Sequence, residues 1–280
     1  MDLKAYLDRI DYNGPVRADL ATLRGLHRAH LLAIPYENLD VQLGHPVKLA
    51  RAQIYEKIVE RRRGGWCYEM NGLFGWALAE AGFRVTRATG AVRRDLMGDV
   101  MVGNHLVLRV DLDEGTFLAD VGFGDGSRDP IKVEPGPFHS HGFKFSLAKE
   151  EGAWWRVFNH QYGGAQTFDF RLDPADETVL EERCRLLQTS EQSPFVQNAV
   201  CQRHTESGLT ILRGRVLRRV TPDGIVDERL LEDADDFVSV LAEEFDLDVP
   251  GAESLWPKII ARHEAVLAAA AAAEPTRSAG

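Results

Sequence analysis

The sequence predicts an α+β protein in which a helical bundle is followed by an antiparallel sheet or small barrel and a mixed C-terminal segment. Two observations support this prediction. Apolar residues recur at the helical period through residues 1–82. Beyond them, short runs of β-branched and aromatic residues alternate with turn-forming residues. Because 280 residues are many for a single domain, we expect three parts, residues 1–83, 84–185 and 186–280.

The first part contains three predicted helices before its central one. They lie at residues 3–10, from Asp19 onward, and at residues 52–62. Pro35 ends the second of them, because the residue before a proline is disfavoured in the α region. Residues 34–40 are therefore expected to form an irregular loop.

Cys67 follows two glycines and begins the next predicted helix. Apolar residues recur over residues 67–81, and Gly82 stands where a helix C-terminus favours glycine. Free N–H groups and the helix dipole favour a negative charge at a helix N-terminus, so a cysteine there is suited to act as a thiolate nucleophile. A buried, unreactive cysteine is the alternative. A nucleophile also needs a base and a group that orients the base.

The second part is predicted to consist of antiparallel strands joined by short turns. A turn at residues 113–115 connects two of the strands. The predicted strands are 85–92, 104–112, 116–121, 144–147, 154–158 and 167–170.

His105 and Asp120 are the polar residues that stand out in these strands. A tight hairpin at 113–115 pairs residues whose numbers sum to about 228, which places His105 opposite residue 123 and near Asp120. A core histidine and a turn aspartate are the alternatives. Together with Cys67 they would form a triad in which the imidazole holds the thiolate and moves protons. The carboxylate would fix the imidazole tautomer.

Residues 122–142 are rich in glycine and proline. Such a loop lets its backbone approach a ligand closely and could bind phosphate through N–H groups. It lacks the Gly-Lys-Ser/Thr ending of a nucleotide-binding loop, and a long surface loop is the alternative.

The third part mixes strands and helices. Residues 209–220 alternate as strands do and carry four arginines, which we expect on a solvated face. Helices are predicted at 234–245 and 253–273. The alanine run 268–273 is expected to be a fraying helix and not a membrane span, and residues 274–280 a disordered tail.

Composition excludes several functional classes. The net charge of −10 disfavours nucleic acid or an anionic membrane as the main partner. The three cysteines, Cys67, Cys184 and Cys201, are too few and too scattered for a disulfide framework, and the histidines show no recognised zinc spacing. We predict no metal and a cytoplasmic protein.

Five short motifs resemble those of the arylamine N-acetyltransferases, in particular the bacterial type also described as N-hydroxyarylamine O-acetyltransferases. Three of the motifs resemble the family's triad signatures, and two resemble its Pro-Phe-Glu-Asn-Leu loop and its Ser-Pro-Phe element. The triad motifs are Arg63–Asn71, Asn104–Leu106 and Ala119–Gly124, and the others are Ile34–Leu39 and Ser193–Phe195.

The resemblance implies a helical bundle, a central antiparallel β-barrel and a C-terminal α/β lid around a Cys-His-Asp core like that of cysteine proteases. It implies a ping-pong reaction in which acetyl-CoA acetylates Cys67 and an arylamine, arylhydrazine or N-hydroxyarylamine then accepts the acetyl group. His105 would take the proton of the incoming amine, and Asp120 would hold His105. A role in xenobiotic metabolism follows from the same resemblance.

The resemblance also implies substrate and CoA contacts. Tyr36, Val92 and Phe123 would form an apolar slot for the aromatic ring, although Tyr36 stands where the family more often has phenylalanine. Asp125 adds a negative charge to the glycine loop, which would weaken phosphate binding if it faced CoA. The loop glycines expected to approach the CoA pyrophosphate are Gly122, Gly124 and Gly126.

Three other functions use similar residues. An amide synthase that releases and macrocyclises a polyketide shares the fold and the triad, and would differ in its acyl donor. A cysteine peptidase or transglutaminase-like hydrolase uses a similar triad. In a non-enzymatic binding protein the same residues would form a buried polar cluster, and Cys67 would react no faster than an ordinary cysteine.

Overall fold

The structure is a computed structural model that describes residues 1–273, so the tail predicted at 274–280 lies outside the described residues. It contains the predicted combination of helices and antiparallel sheets. The α-helices within residues 1–273 are α1 (Leu3–Arg9), α2 (Leu20–Ala33), α3 (Leu39–Gln42), α4 (Arg51–Tyr55), α5 (Cys67–Glu80), α6 (Arg94–Met97), α7 (Glu177–Thr189), α8 (Pro194–Gln197), α9 (Ala234–Phe245) and α10 (Trp256–Ala273).

The strands form two antiparallel sheets. The strands are β1 (Tyr36–Glu37), β2 (Arg84–Val92), β3 (His105–Leu112), β4 (Gly115–Ala119), β5 (Ile131–Lys132), β6 (Gly136–Ser140), β7 (Phe143–Lys149), β8 (Trp155–Phe158), β9 (Thr167–Pro174), β10 (Val200–His204), β11 (Leu209–Arg213), β12 (Val216–Thr221) and β13 (Gly224–Leu230). One sheet has the order β5-β4-β3-β2-β9-β8-β7-β6 and the other β1-β10-β11-β12-β13. The predicted barrel is thus a curled, half-barrel sheet with β5 and β6 at its edges.

Local sequence signals set the ends of α2 and α5. The Asp19 carboxylate accepts the N–H of Thr22 at 2.8 Å and caps α2. Gly82 has φ +90°, and its N–H and that of Phe83 bond back to the last turn of α5. This glycine-terminated ending is the one predicted for the helix.

Helix α5 lies at the centre of the N-terminal part. Nearly all of its side chains are buried, including Met70 and Phe74, and it packs against strand β3. Gly75 allows this close packing, because a Cβ there would lie 3.0 Å from a methyl carbon of Leu108. The packing brings the start of α5, with Cys67, against the start of β3.

Several features differ from the sequence prediction. The loop expected at 34–40 contains β1 and the start of α3, because β1 pairs with β10 far along the chain. Residues 122–142 contain β5 and β6, so they are not one long loop. The helix expected at 52–62 changes to a π-helical turn at Glu56–Glu60. Strands β10 and β13 and helix α7 were not predicted.

The hairpin register also differs by one residue from the prediction, since Leu108 pairs with Ala119 across a two-residue turn. Helix α7 extends across position 185, and the division into three parts stays a prediction. No helix within residues 1–273 has the length and apolarity that a membrane crossing requires.

Candidate active site

Cys67 is held at the N-terminus of α5 by a turn that only glycine can form. A Cβ on Gly64 would lie 2.1 Å from the carbonyl oxygen of Pro35, and one on Gly65 would lie 2.8 Å from the Glu69 side chain. Glu69 reaches back and accepts the Trp66 N–H at 3.2 Å. Cys67 is buried, so its thiol is delivered into the interior at the positive end of the helix dipole.

Five charged residues next to this turn, four of them buried and Asp40 half-buried, hold it in place. Lys57 donates to Glu69 at 2.9 Å and lies 2.7 Å from a carboxylate oxygen of Asp40. Arg63 donates to Glu37 at 2.7 Å and to Asp40 at 3.2 Å. Burial would lower the pKa of Lys57, but the surrounding carboxylates raise it above its usual value. Removing one member would leave an unpaired buried charge, which is costly.

His105 and Asp120 meet as the hairpin argument predicted. The Nε2–H of His105 donates to Oδ2 of Asp120 at 2.7 Å, and both residues are buried. Burial alone would lower the pKa of His105, but the charge and hydrogen bond of Asp120 and the Cys67 side chain raise it to about 10. With Nε2 occupied by Asp120, Nδ1 is the ring nitrogen left for the thiol. The Cys67 Sγ also lies 4.0 Å from the carbonyl oxygen of Asn104.

Asn71 fixes the carboxylate and was missed by the sequence analysis as a site residue. Its Nδ2 donates to Oδ1 of Asp120 at 2.7 Å and to the Leu106 carbonyl at 2.6 Å, and its Oδ1 accepts the Val121 N–H at 2.9 Å. The sequence could have predicted this role, because Asn71 lies four residues after Cys67 and therefore on the same face of the helix. One side chain thus joins the nucleophile helix to both strands of the His-Asp pair.

The pKa of Asp120 reflects these contacts. Burial would raise it, but the His105 charge and hydrogen bonds from His105, Asn71 and the Gly122 N–H lower it below its usual range. Asp120 is therefore held as a carboxylate and can stabilise an imidazolium.

The three predicted pocket residues lie on two sides of the triad. Tyr36 packs in the same apolar cluster as Cys67. Phe123 lies on the other side, with its ring centroid 5.7 Å from that of His105, and half-buried Val92 packs in the same cluster. Phe168, which was not predicted as a pocket residue, packs against Phe123 with the ring centroids 4.6 Å apart, because β9 pairs with β2 and places Phe168 opposite Val92.

The predicted CoA-binding glycines lie in a tightly packed loop. A Cβ on Gly122 would lie 2.8 Å from the Cys67 Cα, and one on Gly124 would lie 1.9 Å from a side-chain oxygen of Gln202. A Cβ on Gly126 would lie 3.2 Å from the Phe123 Cβ. The missing side chains thus permit close packing within the protein.

Asp125 is buried and does not leave an open negative charge in the glycine loop. Its carboxylate accepts the Gly164 N–H at 2.7 Å and side-chain amides of Asn159 and Gln202 at 3.1 and 3.3 Å. Burial raises its pKa above the usual value, although these donors oppose the shift. Asp125 therefore joins the glycine loop to residues 159–166 and to β10.

Within residues 1–273 no group of three or more histidine, cysteine or acidic side chains is arranged to hold a metal ion.

Comparison with known proteins agrees with the motifs. A family model described as N-acetyltransferase matches residues 19–254. The arylamine N-acetyltransferase of Mycolicibacterium smegmatis is 33% identical over 265 residues, which cover 89% of this chain and 93% of that protein. Arylamine N-acetyltransferase 2 of Homo sapiens is 30% identical, covering 78% of this chain and 82% of that protein.

Solved structures give the same result. The structure of Mycobacterium marinum arylamine N-acetyltransferase in complex with CoA has a TM-score of 0.84 and 33% identity, covering 92% of this chain and 98% of that one. The Nocardia farcinica enzyme has a TM-score of 0.80 and 35% identity, covering 94% and 93%. The chain is thus an acyltransferase of the N-acetyltransferase class. It belongs to the arylamine N-acetyltransferase family, and the predicted fold class and enzyme class are confirmed.

Proposed function

We propose that this protein transfers an acetyl group from acetyl-CoA to arylamines and arylhydrazines, and to the oxygen of N-hydroxyarylamines, through an acetyl-Cys67 thioester. The observation that carries the proposal is the buried His105–Asp120 pair, 2.7 Å between Nε2 and Oδ2, beside a cysteine at a helix N-terminus. The relatives named as arylamine N-acetyltransferases and the CoA-bound neighbour support the choice of substrates.

In the first half-reaction the Cys67 thiolate attacks the thioester carbonyl carbon of acetyl-CoA. The negative charge that develops on the carbonyl oxygen would be stabilised by a backbone N–H near Cys67, at the positive N-terminus of α5. The C–S bond to CoA breaks, and the imidazolium of His105 protonates the CoA thiolate. Acetyl-Cys67 and a neutral imidazole remain.

In the second half-reaction the amine nitrogen attacks the acetyl carbon of acetyl-Cys67. Neutral His105 accepts the amine proton at Nδ1, the Cys67 thiolate leaves, and the ion pair is restored. Asp120 keeps Nε2 protonated throughout, so that Nδ1 is the nitrogen that exchanges protons. Asn71 is a positioning residue that orients Asp120.

The aromatic ring of the amine would lie between Tyr36 and Phe123, with Val92 at the edge of the slot. Tyr36 packs with Cys67, and Phe123 lies against His105, so a ring held between them would present its amino group to the thioester. That Gly122, Gly124 and Gly126 contact CoA stays a prediction, as does a cytoplasmic location.

The test is intact-protein mass spectrometry after mixing with acetyl-CoA in the absence of amine, followed by addition of an aniline or a hydrazine. We expect a gain of one acetyl group on Cys67 that the amine removes. No acetylation by acetyl-CoA together with rapid alkylation of Cys67 by iodoacetamide would favour another acyl donor, as in the amide synthases. No acetylation and slow alkylation would contradict the nucleophile assignment.

A further inference from the structure

Arg93 lies at one side of the candidate active site. It directly follows Val92, whose backbone N–H and C=O bond to the Asn104 side chain at 2.8 and 3.2 Å. The carbonyl oxygen of Asn104 in turn lies 4.0 Å from the Cys67 Sγ. The Arg93 side chain is exposed and donates to the Gly164 carbonyl at 3.4 Å. Its charge therefore lies at the rim of the site.

Two further arginines lie beside the beginning of β10. Exposed Arg213 ends β11 and pairs with Val200, which packs in the same apolar cluster as Cys67. Half-buried Arg262 projects from α10 and donates through Nε to Oδ1 of Asn198 at 3.3 Å. Both arginines thus lie against the beginning of β10.

Hydrogen bonds connect the loop that Arg93 contacts to strand β10. The Gly164 N–H and the Gln202 side-chain amide donate to the same oxygen of Asp125, at 2.7 and 3.3 Å. Gln202 lies in β10, two residues after Val200. The loop that Arg93 contacts is therefore fixed to the strand that borders Arg213.

Arg213 and Arg262 approach the same segment, since the N–H of Gly214 donates to the carbonyl of Ala199 at 2.8 Å and Arg262 contacts the adjacent Asn198. Although Arg213 is exposed, partial desolvation of its guanidinium lowers its pKa below the usual value, and so do the positive charges of Arg93, Arg262 and Arg218. Arg218 is compensated by an ion pair with Glu228. Over residues 1–273 the other three have no carboxylate within salt-bridge distance. In a chain of net charge −10, such a group produces local repulsion that a bound anion would relieve.

We propose that Arg93, Arg213 and Arg262 bind a phosphate group of CoA at the rim of the active site. Guanidinium groups suit this task, because their fixed fork of N–H donors matches phosphate oxygens. A local positive field is also needed to bring a highly anionic co-substrate to an acidic protein. This proposal rests on the proposed function, since it assigns part of the binding of its acetyl donor.

The test measures the second-order rate constant for acetylation of Cys67 with four donors. Acetyl-CoA carries all the phosphates, acetyl-dephospho-CoA lacks the 3′-phosphate, and S-acetylpantetheine and p-nitrophenyl acetate carry none. Each arginine is replaced separately (Arg93→Gln, Arg213→Gln and Arg262→Gln). Arg61→Gln is the matched control, since Arg61 is an exposed arginine in the helical part that pairs with Glu56.

We expect each of the three variants to acetylate about tenfold more slowly with acetyl-CoA, as expected for loss of one charge-assisted hydrogen bond. The rates with the two phosphate-free donors and those of Arg61→Gln should match the wild type. If the arginines bind the 3′-phosphate, the variants should acetylate as fast as the wild type with acetyl-dephospho-CoA. If they bind the pyrophosphate, the variants should remain slower than the wild type with this donor.

Equal losses with all four donors, or unchanged rates with acetyl-CoA, would overturn the proposal. The proposed function fails in a different way, because wild-type Cys67 would then not be acetylated by acetyl-CoA at all. Acetylation by p-nitrophenyl acetate alone would leave the nucleophile assignment standing and reject CoA as the donor, and with it this site.

Discussion

Replacing Asp120 by asparagine should give His105 the wrong tautomer, because the hydrogen bonds around residue 120 fix the orientation of the new amide group. Oδ1 of Asp120 accepts two hydrogen bonds, from Asn71 at 2.7 Å and from the Gly122 N–H at 2.9 Å. An amide nitrogen at that position would face two donors, so it is driven to the Oδ2 position, opposite His105. There it donates to Nε2, and the imidazole proton moves to Nδ1, which is the wrong tautomer for a base.

The size of the effect follows from the pKa of His105. Asp120 contributes most of the increase that brings this pKa to about 10, against the effect of burial. Without that charge, burial would hold the pKa below the ordinary ~6.5, so the acid dissociation constant of the imidazolium rises by ~10³ or more and most of the rings are neutral at pH ~7. We expect Asp120→Asn to slow acetylation of Cys67 by ~10³–10⁴, comparable to the ~10⁴ effect of the corresponding change in a serine-protease triad.

The assay is single-turnover acetylation of Cys67 by acetyl-CoA between pH 6 and pH 11, followed by stopped flow. The wild type should lose activity as the pH passes about 10, where His105 gives up its proton. Asp120→Asn should be slow at every pH and lack this limb. Asp111→Asn is the matched control, since Asp111 lies in the same hairpin and contacts Arg109 and Thr116. Acetylation by Asp120→Asn within tenfold of the wild type would refute the reasoning.

Three further predictions concern the same site. Cys67→Ala should take up no acetyl group in mass spectrometry. Its melting temperature should stay within a few degrees of the wild-type value, because the thiol makes few polar contacts. Acetylation of this variant at another residue would contradict the nucleophile assignment. Gly122→Ala should lower both stability, by ~1–3 kcal/mol in urea unfolding, and the acetylation rate, because its Cβ would lie 2.8 Å from the Cys67 Cα. Gly164→Ala is the control, because its Cβ would meet nothing closer than 3.4 Å. Equal losses of stability and acetylation rate in the two variants would contradict the role of close packing at Gly122. The folded protein holds the His105 proton up to about pH 10, whereas the unfolded chain releases it near pH ~6.5. The contribution of this proton to the free energy of unfolding is therefore complete below pH ~6.5 and is lost as the pH rises through 10. The stability difference between wild type and His105→Gln should therefore shrink from pH 7 to pH 10, and a constant difference would show that His105 does not hold an extra proton.

Features set by neighbouring residues could be predicted from the sequence. The cap at Asp19, the ending of α5 at Gly82 and the placement of Cys67 on its first turn each depend on residues within one helical turn. The meeting of His105 and Asp120 was also predictable, because a two-residue turn connects their strands and limits the possible registers. These features share short separations along the chain.

Features that depend on distant parts of the chain could not be predicted. Phe168 reaches the pocket because β9 pairs with β2, and no local pattern states that pairing. Residues 36–37 form a strand only because β10, more than 160 residues later, supplies the partner. The charged residues next to the Cys67 turn are likewise separated along the chain, and the fold brings members such as Glu37 and Arg63 into contact.

Gly122 shows why the chemical role of a residue is harder to predict than its presence in a motif. A missing side chain is useful wherever a backbone must be approached closely, either by a ligand or by another part of the protein. At Gly122 the approaching group is the backbone of Cys67 itself, and the Gly122 N–H also donates to Asp120 at 2.9 Å. Sequence alone cannot separate these two uses, because both require the same residue in the same turn. The packing contact is sufficient to explain the glycine, so a CoA contact at this position needs its own evidence from binding measurements.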